Sequence, residues 1–101
     1  MGKNLTSIMT DDLEHCYIHK KFLGIDIPGD ELHHAIHGVA NRNIADKEKL
    51  YCYLCRNCHR LLHDTGYHDR DLQRDAEIAW LEHNSATIED WIKRYGKNYL
   101  D

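Results

Sequence analysis

Hydrophobic and polar positions alternate most cleanly along Lys49-Leu50-Tyr51-Cys52-Tyr53-Leu54, with Leu50, Cys52 and Leu54 on one side and the tyrosines on the other. A period of two over such a run predicts a half-buried strand. Upstream, Pro28-Gly29-Asp30 is a turn signal that leads into a short strand, Glu31-Leu32-His33-His34. Gly38 to Asp46 reads as the loop between the strands. Downstream, Cys55-Arg56-Asn57-Cys58 forms a knuckle, and His59 to His63 begins a helix that Gly66 can end. The order is strand, loop, strand, knuckle, helix.

From Asp64 onward the period changes. Leu72, Ala76, Ala79 and Trp80 share one face of a helix over Asp71 to His83. Thr87-Ile88-Glu89-Asp90 matches a capping box with Asp in place of Glu. Ile88, Trp91, Ile92 and Tyr95 then recur at helical spacing, and Gly96 sits where a C-cap belongs. At that spacing the tryptophans are expected in the core rather than on a base-stacking platform. The fold class is therefore α+β, in one domain of 101 residues with three stretches. Residues 1–14 are a tail or short helix, 15–66 the Cys- and His-bearing core, and 67–101 a helical extension of the same domain.

Composition changes this picture at one point: the chain holds four cysteines and nine histidines. No secretory signal is legible at the start and no run is apolar enough to span a membrane. A reducing compartment is expected, where cysteines serve as metal ligands rather than disulfides. A core this small also benefits from a metal staple. The net charge of −4 is unevenly spread: +2 from His15 to His63, −2 before it and −4 after it. The basic balance falls where the Cys and His residues lie, a mild pointer to a polyanion partner.

Two constellations carry the chemistry. Cys16-Tyr17-Ile18-His19 and Cys55-Arg56-Asn57-Cys58 are ligand pairs with two residues between members, a spacing that lets a tight turn aim both side chains at one ion. Together they make a Cys₃His set suited to tetrahedral Zn²⁺. Cys52 is excluded, because alternation places it with Leu50 and Leu54. In the second constellation, His59 and His63 share a helical face and can grip one ion. Adjacent strand residues point to opposite sides, so one of His33 and His34 can complete a three-histidine site while the other stands beside it as a base. A zinc peptidase would carry Glu after the first helical His, and Arg60 stands there. Cys55 to His59 also spells the c-type haem attachment pattern CxxCH, but haem would leave Cys16, His19, His33, His34 and His63 unexplained.

The double His33-His34, then Asn41-Arg42, then Cys55-Arg56-Asn57-Cys58-His59 and His63, resembles the HNH endonucleases of the ββα-metal type, especially the small phage and prophage variants. Arg94-Tyr95-Gly96-Lys97-Asn98-Tyr99-Leu100 resembles the tail of the same subgroup. The resemblance implies a small ββα-metal, treble-clef-like core over 15–66 with C-terminal helices packed on it, and hydrolysis of DNA phosphodiester bonds. It implies that His33, His59 and His63 hold the catalytic divalent cation (Mg²⁺, Mn²⁺, Ni²⁺ or Zn²⁺). It assigns His34 as general base and Cys16, His19, Cys55 and Cys58 as the structural Zn²⁺ site. Leu50 stands where the family carries its central Asn, so Asn41 or Asn43 would orient the base. Arg42, Arg56 and Arg60 are candidates for gripping phosphates. The partners expected are DNA and phage or prophage proteins, not a membrane. A monomer or weak dimer in the cytoplasm of a bacterial host or phage-infected cell is expected. The alternative is a zinc-stabilised module that binds nucleic acid or protein without cutting.

Overall fold

The computed structural model describes residues 6–37, 44 and 46–100. Within them lie two strands, β1 (Glu31–His34) and β2 (Tyr51–Leu54), and three helices, α1 (Arg56–Thr65), α2 (Asp69–Asn84) and α3 (Ile88–Tyr95). A wide helical turn over His19–Leu23 precedes β1. The class is a small α+β arrangement built on a two-stranded antiparallel sheet. No described helix is long and apolar enough to cross a membrane.

The register pairs Glu31 with Leu54, Leu32 with Tyr53, His33 with Cys52 and His34 with Tyr51. Leu50, Cys52 and Leu54 are fully buried, as the alternation predicts. Tyr51 departs from it, being only 4% exposed. His34 packs edge-on over its ring, and Ser7 Oγ donates to Tyr51 O at 2.6 Å, so the expected solvent side of β2 is covered at this end. The same N-terminal segment is tied to the start of β2 by the Ile8 N–H, which donates to Lys49 O at 3.1 Å.

The segment before β1 folds back on itself through Cys16 N–H to Ile27 O at 2.8 Å and Gly29 N–H to Glu14 O at 2.9 Å. A side chain at Gly29 would place its Cβ 2.8 Å from the backbone of His15, so this close approach admits only glycine. The fold-back brings Cys16 and His19 towards the start of α1. There Cys55 is the N-cap, its Sγ accepting the Cys58 N–H at 3.4 Å. Gly66 closes α1 in the left-handed region at φ 79° with its N–H on Leu62 O.

Helix α2 buries Leu72, Ala76 and Trp80 along one face and, beyond the expected set, Glu77, whose Oε1 accepts the Tyr99 N–H at 2.6 Å. Helix α3 has the full capping box between Thr87 and Asp90. Its expected four-residue apolar face is narrower in fact: Trp91 and Tyr95 are buried, whereas Ile88 and Ile92 are 41% and 40% exposed. This two-turn helix lies at the edge of the core and meets it along a single i, i+4 line. Trp91 packs at a tilt against Tyr95 at 4.1 Å and edge to face with Trp80 at 5.5 Å, and both tryptophans are buried in the core. Of Gly38 to Asp46, read as a loop, Ile44 and Asp46 are described; both lie in a short helical turn, where the Glu48 N–H donates to Ile44 O at 2.9 Å.

Candidate metal centres

Four side chains from two separate segments meet at the first centre. The donor atoms of Cys16, His19, Cys55 and Cys58 all lie within 4.8 Å of one another. Cys16 ends the fold-back and is fully buried; His19 opens the wide turn; Cys55 and Cys58 sit at the cap and in the first turn of α1. His19 Nδ1 is 3.3 Å from Cys58 Sγ, 3.4 Å from Cys16 Sγ and 3.7 Å from Cys55 Sγ. With Zn–N near 2.0–2.1 Å and Zn–S near 2.3 Å, a tetrahedral N···S edge is about 3.6 Å. The spread of these distances fits that edge, and the four can hold a metal ion such as zinc.

The acid–base chemistry of this donor set points the same way. Burial, and then the neighbouring Cys55 and Cys16 thiols, push the Cys58 thiol above its ordinary value. Three cysteines so close cannot all ionise without a cation among them, and a coordinating divalent ion takes the place of their protons. All four cysteines of the chain are free thiols. Cys52 lies outside the group; burial raises its thiol strongly, and it behaves as a small apolar core residue.

The second centre is built on His33. Its side chain is buried, and its Nε2 has no hydrogen-bond partner. A buried polar atom without a partner is uncommon and calls for a ligand. Burial, and then the adjacent imidazoles of His59, His37 and His63, lower its pKa from 6.5 to about 3, so the ring is neutral and its lone pair free near pH 7. The His59 ring packs 5.2 Å from it and the His63 ring 5.6 Å. The donor atoms of His33, His59 and His63 fall within the same 4.8 Å limit. His59 and His63 present their Nε2 atoms to each other at 3.1 Å, near the N···N edge of about 3.3 Å around a tetrahedral zinc.

Carboxylates frame this cluster. His59 Nδ1–H donates to Glu31 Oε1 at 2.7 Å, which leaves Nε2 as the ligating atom. His34, on the other side of β1 from His33, donates from Nε2 to Asp46 Oδ1 at 3.1 Å. His37 Nε2 meets Asp69 Oδ1 at 2.7 Å.

Of the residues singled out from the sequence, the structure brings together both candidate donor sets, while His34 follows His33 on β1 and lies on the other side, against Tyr51 and Asp46. Arg56 and Arg60 lie exposed, one turn apart on α1. Asn41, Arg42 and Asn43 lie outside the described residues. Glu31, His37, Asp46 and Asp69 were not foreseen in any role. For Glu31 a signal existed, because it stands two residues before His33 on the same strand face. The pairing of His37 with Asp69 joins positions 32 residues apart and leaves no local trace. Comparison with protein-family models, with curated proteins and with solved structures returned no match.

Proposed function

We propose that this chain is a metal-dependent endonuclease of the HNH, ββα-metal type that hydrolyses DNA phosphodiester bonds. The observation that carries the reading is the convergence of His33, His59 and His63 donor atoms with His34 on the neighbouring strand position. The order β1, β2, α1, with both histidine pairs on that framework, supports a ββα-metal core. The Cys16, His19, Cys55 and Cys58 group then serves as the structural zinc site that holds the fold-back onto α1.

His33, His59 and His63 would hold the divalent cation, which when bound offsets charge on a phosphate oxygen and on the departing 3′ oxygen. The chain's own work is proton transfer and positioning. Asp46 fixes the His34 ring through Nε2–H and leaves the Nδ1 lone pair free to take a proton from the attacking water. An imidazole suits that step near neutral pH. Glu31 holds His59 in the tautomer that keeps its Nε2 unprotonated. Arg56 and Arg60, exposed on the helix that carries His59 and His63, are placed to pair with flanking phosphates.

The test is cleavage of supercoiled plasmid by the zinc-loaded chain supplied with Mg²⁺, Mn²⁺, Ni²⁺ or additional Zn²⁺, alongside His34→Ala. Metal-dependent nicking that disappears in the variant, with its circular dichroism unchanged, is expected. A folded, zinc-bearing chain that cuts with none of these ions would instead mark a binding module.

A further inference from the structure

The histidine cluster extends past the three residues assigned above. His37 follows β1, and Asp69 opens α2; with His33 they form another group whose donor atoms lie within 4.8 Å of one another. The His37 ring packs 5.7 Å from His33 and 6.2 Å from His63. His33 therefore stands between His59 and His63 in one direction and His37 with Asp69 in the other. We propose that this cluster has two adjacent cation positions: an inner one held by His33, His59 and His63, and an outer one held by His37 and Asp69.

Two observations support the outer position. One is that the donor atoms of His37 and Asp69 lie within 4.8 Å of each other and of His33. Another is the donor chemistry, since an imidazole nitrogen and a carboxylate oxygen 2.7 Å apart suit a borderline divalent ion. On binding, that ion takes the Nε2 lone pair of His37 while the ring carries its proton on Nδ1.

The two positions differ in strength. A single imidazole nitrogen serves one ion, so His33 Nε2 belongs to the inner position. The outer ion then has His37 and Asp69 as fixed ligands and water elsewhere, and it is the weaker of the two. The side chains of His37 and Asp69 are 41% and 26% exposed, which gives it direct access from solvent. Two such ions side by side would clamp a phosphate from two directions.

Titration of the zinc-loaded full chain with Co²⁺, followed by calorimetry and native mass spectrometry, tests this. The unmodified chain is expected to take up two Co²⁺ beyond its zinc, the second at least tenfold more weakly. His37→Ala and Asp69→Asn should each take up one, with the tighter step within twofold of the parent. His59→Ala should lose the tighter step and keep the weaker. A parent that binds one Co²⁺ overturns the proposal, leaving His37–Asp69 an ion pair or, if His37→Ala weakens that single step, His37 a further ligand of the inner ion. Two Co²⁺ retained in both His37→Ala and Asp69→Asn overturns it as well. The ion count does not depend on cleavage. A chain that binds two Co²⁺ yet cuts no DNA would sink the nuclease reading and leave the second position standing, and a nuclease with one Co²⁺ would do the reverse.

Discussion

The two centres use the same few residue types to different ends. In the Cys16, His19, Cys55 and Cys58 group, every coordination position of a tetrahedral ion is filled by the chain, and Cys16 and Cys58 are buried. In the His33, His59 and His63 group, burial falls from a fully enclosed His33 to an exposed His63, and one position of a tetrahedral ion stays open. A closed site staples, whereas an open one can exchange ligands. The closed centre joins the fold-back of residues 16–29 to α1. The open one sits across β1, which pairs with β2, and α1, which packs on the core through Cys58 and Leu62.

The largest consequence concerns the closed centre. Cys58→Ser should abolish binding of the ion that Cys16, His19, Cys55 and Cys58 can hold, and the fold with it. Structural zinc binding in small sites is worth about 10–16 kcal/mol, against a total stability of about 5–15 kcal/mol for a domain. Zinc content and far-UV circular dichroism check it; a variant that binds no zinc but keeps native helicity would show that the staple is dispensable.

The next effect belongs to the helical extension. Trp91 is fully buried against Trp80, Tyr95 and Tyr99, and its Nε1–H donates to Lys97 O at 2.8 Å. Trp91→Ala should cost about 3–5 kcal/mol, from lost burial and the cavity left behind. Urea unfolding with parallel ion analysis measures it. Ion content should stay unchanged in the folded fraction, which would show that the helical extension stabilises by packing and the closed centre by coordination.

Legibility in the sequence divides along the same line. The close approach of Cys55 to Cys58 and of His59 to His63 was readable because local geometry fixes what a CxxC knuckle or an i, i+4 helical pair can do. The capping box at Thr87 and the Gly66 and Gly96 caps were readable for the same reason. Burial on the second face of a strand depends on what else the chain lays over it, so Tyr51 was misplaced until Ser7 and His34 covered it. Ile88 and Ile92 carry the period of a buried face, but a short edge helix has only one line of contact to offer. The carboxylates Asp46 and Asp69 reach their imidazoles through tertiary contacts that no spacing rule encodes.

A smaller effect separates the centres by their supporting groups. Glu31 fixes His59 at 2.7 Å, whereas the donor atom of His19 faces sulfur alone among the described residues. Loss of a carboxylate behind a ligating histidine typically weakens metal binding about 10–100-fold, or about 1.4–2.7 kcal/mol. Glu31→Gln should therefore weaken the tighter Co²⁺ step by that factor and leave the zinc untouched. An equal loss from both centres would mean that Glu31 supports the fold rather than His59.

The smallest effect lies on the surface of the closed centre. Asp12 accepts the N–H groups of Glu14 and His15 on Oδ1, and its other oxygen pairs with His15 Nδ1 and the Lys20 ammonium. Lys20 chiefly, then the backbone and His15, hold its carboxyl well below the usual range against a smaller opposing effect of burial. A carboxylate with a depressed folded-state pKa contributes stability that is present above the unfolded value of about 3.8 and is lost as pH falls below it. Lys20 is half exposed, so screening keeps the contribution small. Asp12→Asn keeps an acceptor for the backbone N–H groups and removes only the charge. It should shift stability by that small amount at neutral pH and flatten the decline below about pH 4, as read by thermal unfolding across pH. Zinc content should not change, because Lys20 and His15 flank Cys16 and His19 without supplying a ligand. Zinc loss in this variant would instead make the Asp12 turn a part of what aims Cys16 at the ion, and the closed centre would extend further along the chain than its four donors.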